Sequence, residues 1–134
     1  MERLAERIKT ARNAMAKFAE TMAIKEPSAI ERDAAIQRFE FTFEAVWKAG
    51  KEYLYIIEGI AEGSPKGVIR ACRESGLFDN SQTVTALKMA DDRNLTVHTY
   101  NEALAAEIYH NMKEYVLLMG KWLDSIETKT KAAG

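Results

Sequence analysis

Apolar side chains return along this chain at alternating steps of three and four, the period of a helix lying on a partner. Leu4, Ile8, Ala11, Met15, Phe18 and Met22 draw the first such stripe. Its heptad-like spacing suits a shallow crossing with a second helix. Lys25-Glu26-Pro27 interrupts it. Ser28-Ala29-Ile30-Glu31 then predicts a capping box, in which each polar side chain satisfies a free N–H of the other's turn. A long helix is expected from there to about Glu58, with Ile36, Phe39, Phe43, Val46, Gly50, Tyr53 and Ile57 on one face. Gln37, Glu40, Glu44, Lys48 and Lys51 form a polar face beside it. Phe41, Tyr55 and Ile56 point elsewhere, so this helix needs two partners, one of which can be a second chain.

Gly59, Gly63, Ser64 and Pro65 predict the next turn, with Ser64 as N-cap and Pro65 at the first helical position. Val68, Ile69 and Cys72 form a short apolar face that Gly76 closes as a left-handed cap. Leu77-Phe78-Asp79-Asn80 reads as a turn with an apolar anchor. A fourth helix is expected from about Ser81, carrying Val84, Leu87 and Met89 until it meets the polar stretch Asp91-Asp92-Arg93-Asn94. Thr99-Tyr100-Asn101-Glu102 offers a second capping box, with Asn101 as a competing N-cap. Leu104, Ile108, Met112, Tyr115, Met119, Trp122 and Ile126 carry the last stripe, and the residues after Thr128 are expected to fray. No strand pattern, repeat or low-complexity segment appears. The fold class is therefore all-α: an up-and-down four-helix-type bundle with one additional short helix, five helices in a single domain over residues 1–134.

Composition narrows the function. Nineteen basic and twenty acidic residues leave a net charge of -1, which argues against a polybasic nucleic-acid clamp but leaves room for a local basic pocket. The one cysteine, Cys72, permits no intrachain disulfide and suits a reducing compartment. No apolar run approaches the ~20 residues needed to cross a bilayer. The opening MERLAERIKTAR lacks the apolar core of a signal peptide, so a cytoplasmic chain without membrane attachment is expected.

Candidate chemistry is concentrated in one place. A Gly-rich phosphate loop and a GxSxG signature are both missing. Glu107-x-x-His110 matches half of a di-iron bundle pattern, but the second pair has no counterpart, so two polar residues on a solvated face explain it better and no metal is expected. Between Asp91 and Asn101 the chain gathers a permanent cation, an amide, an imidazole and a phenol. Arg93 offers a planar fork suited to phosphate. His98 is the candidate proton carrier, because imidazole takes up and releases protons near neutral pH. The start of the following helix favours an anion nearby. Such a set can hold a phosphodiester, move a proton from a ribose 2′-OH and stabilise charge at phosphorus without metal or cofactor. From the residues alone, a capped, hydrogen-bonded turn explains the segment more simply than catalysis does. On an unbroken helix residues five apart diverge by roughly 140°, so Arg93 and His98 converge only across a bend or between two chains. Phe39, Phe43 and Trp47 read as core, and Glu40 and Glu44 as a solvated or dimer-facing edge from which a carboxylate could orient Arg93. Tyr109 and His110 read as surface or interface.

Arg93-Asn94-x-x-x-His98-x-Tyr100 resembles the R-x4-H-x-Y signature of HEPN domains. Ile36–Lys48, Ser64–Phe78, Asp92–Tyr109 and the final helix resemble, in order, the nucleotidyltransferase substrate-binding protein family within that superfamily. Members of that family often carry a tryptophan ahead of the Arg-Asn segment; Ser81–Ala86 here holds none. The resemblance implies a bundle that dimerises through its long helices, with the motif in a cleft between protomers. It also implies a partner, a minimal nucleotidyltransferase (MNT), in a homodimer or a higher hetero-oligomer. On this reading the chain is a metal-independent ribonuclease toxin, silenced when the MNT transfers AMP to the motif tyrosine. Arg93 would hold the scissile phosphate, His98 would transfer protons, Asn94 would orient substrate or the turn, and Tyr100 would accept AMP. The alternative is a non-catalytic subunit that binds a nucleotide or polynucleotide substrate for the nucleotidyltransferase.

Overall fold

The computed structural model describes residues 1–134. Five α-helices follow one another: α1 (Glu2–Met22), α2 (Ala29–Tyr53), α3 (Pro65–Glu74), α4 (Asn80–Leu95) and α5 (Glu102–Ala133). A π-helical turn, Leu54–Glu58, prolongs α2, and a 3₁₀ turn, Thr96–His98, joins α4 to α5. The expected long second helix thus reaches Glu58, but its last turn widens, and Ile60 N–H closes back on Leu54 O at 2.9 Å. There are no strands.

Side-chain pairs fix the helix directions. Thr42 Oγ1 donates to Ala14 O at 3.2 Å, and the Phe18 and Phe39 rings lie 6.0 Å apart, so α2 runs back along α1. Phe39 stacks on Tyr115 at 5.6 Å while Gly50 faces Trp122, so α5 runs with α2. Thr85 bonds to Glu114 and, further along α4, Asp92 to Asn111, so α4 runs against α5. The result is an up-and-down four-helix bundle with α3 inserted in the α2–α4 connection. Its core follows the predicted stripes: Leu4, Ala11 and Phe18 of α1, Ile36, Phe39, Phe43, Val46 and Tyr53 of α2, and Ile108, Met112, Tyr115, Met119, Trp122 and Ile126 of α5 are buried.

The local signals act as their chemistry requires. Ser28 Oγ accepts from Glu31 N–H at 3.1 Å while Glu31 accepts from Ser28 N–H at 2.9 Å. Ser64 caps α3 with Pro65 at its start, and Gly76 takes φ 80° after it, a left-handed conformation that glycine adopts without strain.

Several local expectations are corrected. Asp79 N-caps α4 in a full capping box with Gln82, so that helix starts at Asn80 rather than in a turn. Asp91–Asn94 lies inside α4, and the break comes later, at Thr96–His98. Asn101, not Thr99, caps α5; Thr99 instead donates to Thr96 O at 3.1 Å. The tail after Thr128 stays helical to Ala133, where Lys129 Nζ donates to Ser75 O at 2.8 Å and ties α5 to the end of α3. Val84 is 69% exposed, so α4 rests on Thr83, Ala86, Met89 and Ala90 instead.

Candidate functional site

Arg93 lies in the last turn of α4, and the buried Asp92 beside it anchors that turn. Asp92 accepts from the Tyr115 hydroxyl at 2.6 Å and from Asn111 Nδ2 at 3.0 Å, both on α5. Burial first, then the bond to Asp92, pushes the Tyr115 phenol far above its usual range. The polar stretch that reads as a linker in the sequence is therefore a helix whose one buried acid is satisfied.

The Arg93 side chain reaches across to α2. Its Nη1 lies 3.5 Å from Glu40 and its Nε 3.7 Å from Glu44, and Nη1 donates to Thr96 Oγ1 at 3.3 Å. Nε is buried without a hydrogen-bond partner. Glu44 is shared, since its other oxygen accepts from the Trp47 indole at 3.1 Å and faces Lys48 at 4.0 Å. Both carboxylates therefore hold the guanidinium in the wall of a cavity of about 330 Å³, completed by Asn94, Phe43, Ser64, Pro65 and Lys66. Lys66, whose ammonium pairs with Asp91 at 2.6 Å, adds a second cation that sequence reasoning did not select. Its place after the Ser64-Pro65 helix start was the available signal.

His98 and Tyr100 occupy the turn after α4. The 3₁₀ turn closes with Asn101 N–H on His98 O at 3.0 Å, and Tyr100 projects from it, 82% exposed. The Tyr100 hydroxyl lies 3.4 Å from His98 Nδ1, with the rings edge to face at 5.9 Å. The four motif residues thus form two pairs within one chain. Arg93 and Asn94 line the cavity; His98 and Tyr100 stand together on an exposed turn and are absent from its wall. Glu107 and His110 are both exposed on α5, and no three His, Cys, Asp or Glu side chains cluster to hold a metal ion. No helix is long and apolar enough to cross a membrane.

Known proteins share this frame. A crystal structure from Thermus thermophilus is 51% identical, covers 87% of this chain and 98% of its own, and superposes with a TM-score of 0.85. HI0074 of Haemophilus influenzae, described as the fold of a substrate binding domain of a nucleotidyltransferase, is 19% identical over 90% of this chain and 98% of its own, with a TM-score of 0.73. A mutant of the toxin–antitoxin MntA-HpeT is 14% identical over 96% and 99%, with a TM-score of 0.79. At those last two identities the likeness establishes a common all-α bundle fold. No curated protein matches the chain. The family model described as nucleotidyltransferase substrate binding protein like matches residues 6–128, nearly the whole bundle with all four motif residues inside it, and the chain belongs to that family.

Proposed function

We propose that this chain is the HEPN-type partner of a minimal nucleotidyltransferase, a metal-independent ribonuclease silenced by AMP transfer to Tyr100. The observation that carries the reading is the Tyr100–His98 pair: a phenol 82% exposed, with an imidazole nitrogen 3.4 Å from its oxygen. An exposed nucleophile beside a proton acceptor suits modification by a second protein. In that step the Tyr100 oxygen attacks the α-phosphorus of ATP, pyrophosphate leaves and His98 takes the phenolic proton. In RNA cleavage His98 takes the ribose 2′-OH proton, and the 2′-oxygen attacks phosphorus. The 5′-oxygen then departs with a proton from a second His98, while Arg93 and Lys66 offset the phosphate charge. Adenylylation adds an anion to the turn that must approach RNA, and so opposes it.

The test is twofold. Partner nucleotidyltransferase with ATP adds one AMP to the wild type and none to Tyr100→Phe, read by intact mass. The unmodified protein degrades RNA in EDTA, and His98→Ala abolishes this with the helical spectrum unchanged. Equal cleavage by His98→Ala overturns the ribonuclease reading. The second reading, a non-catalytic substrate-binding subunit, is favoured by the way Glu40 and Glu44 engage Arg93 away from His98. It expects nucleotide binding that Arg93→Ala weakens and no cleavage by either protein.

A further inference from the structure

A second cavity, of about 540 Å³, is a different one from that of Arg93 and larger than it. Arg3 and Arg7 of α1 stand on one side and Lys48 and Lys51 of α2 on the other, with the aromatic rings of Trp47 and Tyr55 between helix and linker. Two carboxylates, Glu52 and Glu62, also line it, so four cations against two acids leave an excess of two positive charges. The whole chain carries -1. Of the four cations only Arg3 meets a carboxylate within the cleft, Glu52 at 3.8 Å, and it is itself well exposed. Lys48 reaches only Glu44, outside the cleft, at 4.0 Å, and Arg7 and Lys51 make no ion pair. Cations that outnumber the carboxylates around them repel one another, and an anion compensates the excess.

The geometry points to a binding cleft for single-stranded RNA, with phosphodiesters along the two rows of cations and a base stacked on Tyr55. Each row follows a helix. Arg3 and Arg7 are one turn apart, about 6 Å along the axis, and Lys48 and Lys51 about 4.5 Å. Such rows meet successive phosphates rather than one. Arginine forks and exposed aromatic faces are the groups that hold a strand without reading its sequence. Tyr55 is 62% exposed, although burying it would be favourable. The cleft also adjoins the wall of the Arg93 cavity. Its wall ends at Gly63, and the Arg93 wall begins at Ser64; Trp47 belongs to the first and donates to Glu44 of the second. A strand in the cleft is thereby directed towards Arg93. This deepens the ribonuclease reading and rests on its choice of RNA as ligand.

The experiment uses a fluorescent single-stranded RNA of about a dozen nucleotides and the His98→Ala protein, so that binding is read without cleavage. Arg7→Glu/Lys51→Glu in that background is expected to weaken binding at least tenfold and to flatten its salt dependence by about 1.4 in log–log slope, two phosphates' worth. Tyr55→Ala is expected to weaken it about fivefold or more. Circular dichroism and thermal melting of each variant establish that the bundle is intact. Unchanged affinity in both folded variants overturns the cleft. Equal displacement of the RNA by ATP at matched concentration, with no gain from a longer strand, assigns the cleft to free nucleotide and overturns the strand. Tight, cleft-dependent binding by a wild type that never cleaves leaves the cleft standing and rejects only the ribonuclease. Cleavage that survives Arg7→Glu/Lys51→Glu unchanged does the reverse.

Discussion

Arg93 shows how a single side chain can be legible in type and illegible in setting. Its planar guanidinium, in the R-x4-H-x-Y pattern with His98 and Tyr100, makes it a candidate phosphate ligand in the sequence. The two carboxylates that orient it, 3.5 and 3.7 Å away, come from a helix some fifty positions earlier; the sequence offers Glu40 and Glu44 as an edge that could reach it, but no local pattern records that both do. Asp92 is hidden for a related reason: a buried acid looks like a solvated one until its partners, Tyr115 and Asn111, are known. Asp92→Ala is expected to lower stability by about 1–3 kcal/mol, because it strands a buried hydroxyl, whereas Tyr115→Phe costs less by leaving Asn111 on the acid. Urea denaturation of the two variants separates them. Burial also gives a pH signature. It pushes the Cys72 thiol from 9.0 up to about 12 and, with the Glu58 and Asp92 bonds, holds the Tyr53 and Tyr115 phenols above their usual range. Raised acids keep their protons in the folded state while the unfolded chain loses them. Stability is therefore fully present below about 9 and declines as pH rises from there, by up to about 1.4 kcal/mol per pH unit for each group. Cys72→Ala is expected to remove the earliest part of that decline, measured as unfolding free energy between pH 8 and 11.

Elements are the easiest level to read, and the errors there share one cause. Stripes of period 3.6 locate α1, α2 and α5, because burial of one face dictates those positions wherever the partner lies. The end of α4 escapes that pattern because four consecutive polar residues resemble a linker. They are helical because Asp92 faces α5 and Arg93 faces α2, so polar contacts continue the packing that apolar ones began. The tail has the composition of a fraying end, yet Lys129 satisfies the carbonyl of Ser75 at the close of α3, a tertiary contact with no sequence signature. Gly50 gives the sharpest test of helix packing. A Cβ there would lie 3.1 Å from Trp122 and 3.2 Å from Val68, both fully buried, so neither neighbour can give way into solvent. Alanine has the better helix propensity by up to about 1 kcal/mol. Overpacking three elements at once costs about 1–3 kcal/mol. Gly50→Ala is therefore expected to lower the melting temperature, against the propensity scale, and Val68→Ala in the same chain should restore part of the loss.

At the scale of the whole molecule the two halves of the motif pose a question that one chain does not answer. Arg93 is turned into a cavity against α2, while His98 stands with Tyr100 on the exposed turn, so the proposed phosphate-binding and proton-moving groups line no common cavity within a protomer. The surface retains apolar side chains on the outer faces of the long helices, Phe41 at 56% exposed and Leu117 at 67% among them, and each left in water forgoes stabilisation of about 1.5–3 kcal/mol. A two-fold pairing that covers such residues can bring the His98 of one protomer over the Arg93 of the other, and it also supplies the second imidazole that acid–base cleavage needs. Sedimentation at micromolar concentration is expected to show a dimer. Subunit mixing then tests the sharing itself. Arg93→Ala and His98→Ala proteins, each inactive alone, are unfolded and refolded together. If the pair spans protomers, the mixed dimer holds one composite site with an intact arginine and a single intact histidine, and RNA cleavage returns at a low level, with water replacing the missing second imidazole as the acid. If the groups act within one chain, neither subunit has both, and the mixture stays as inactive as its components.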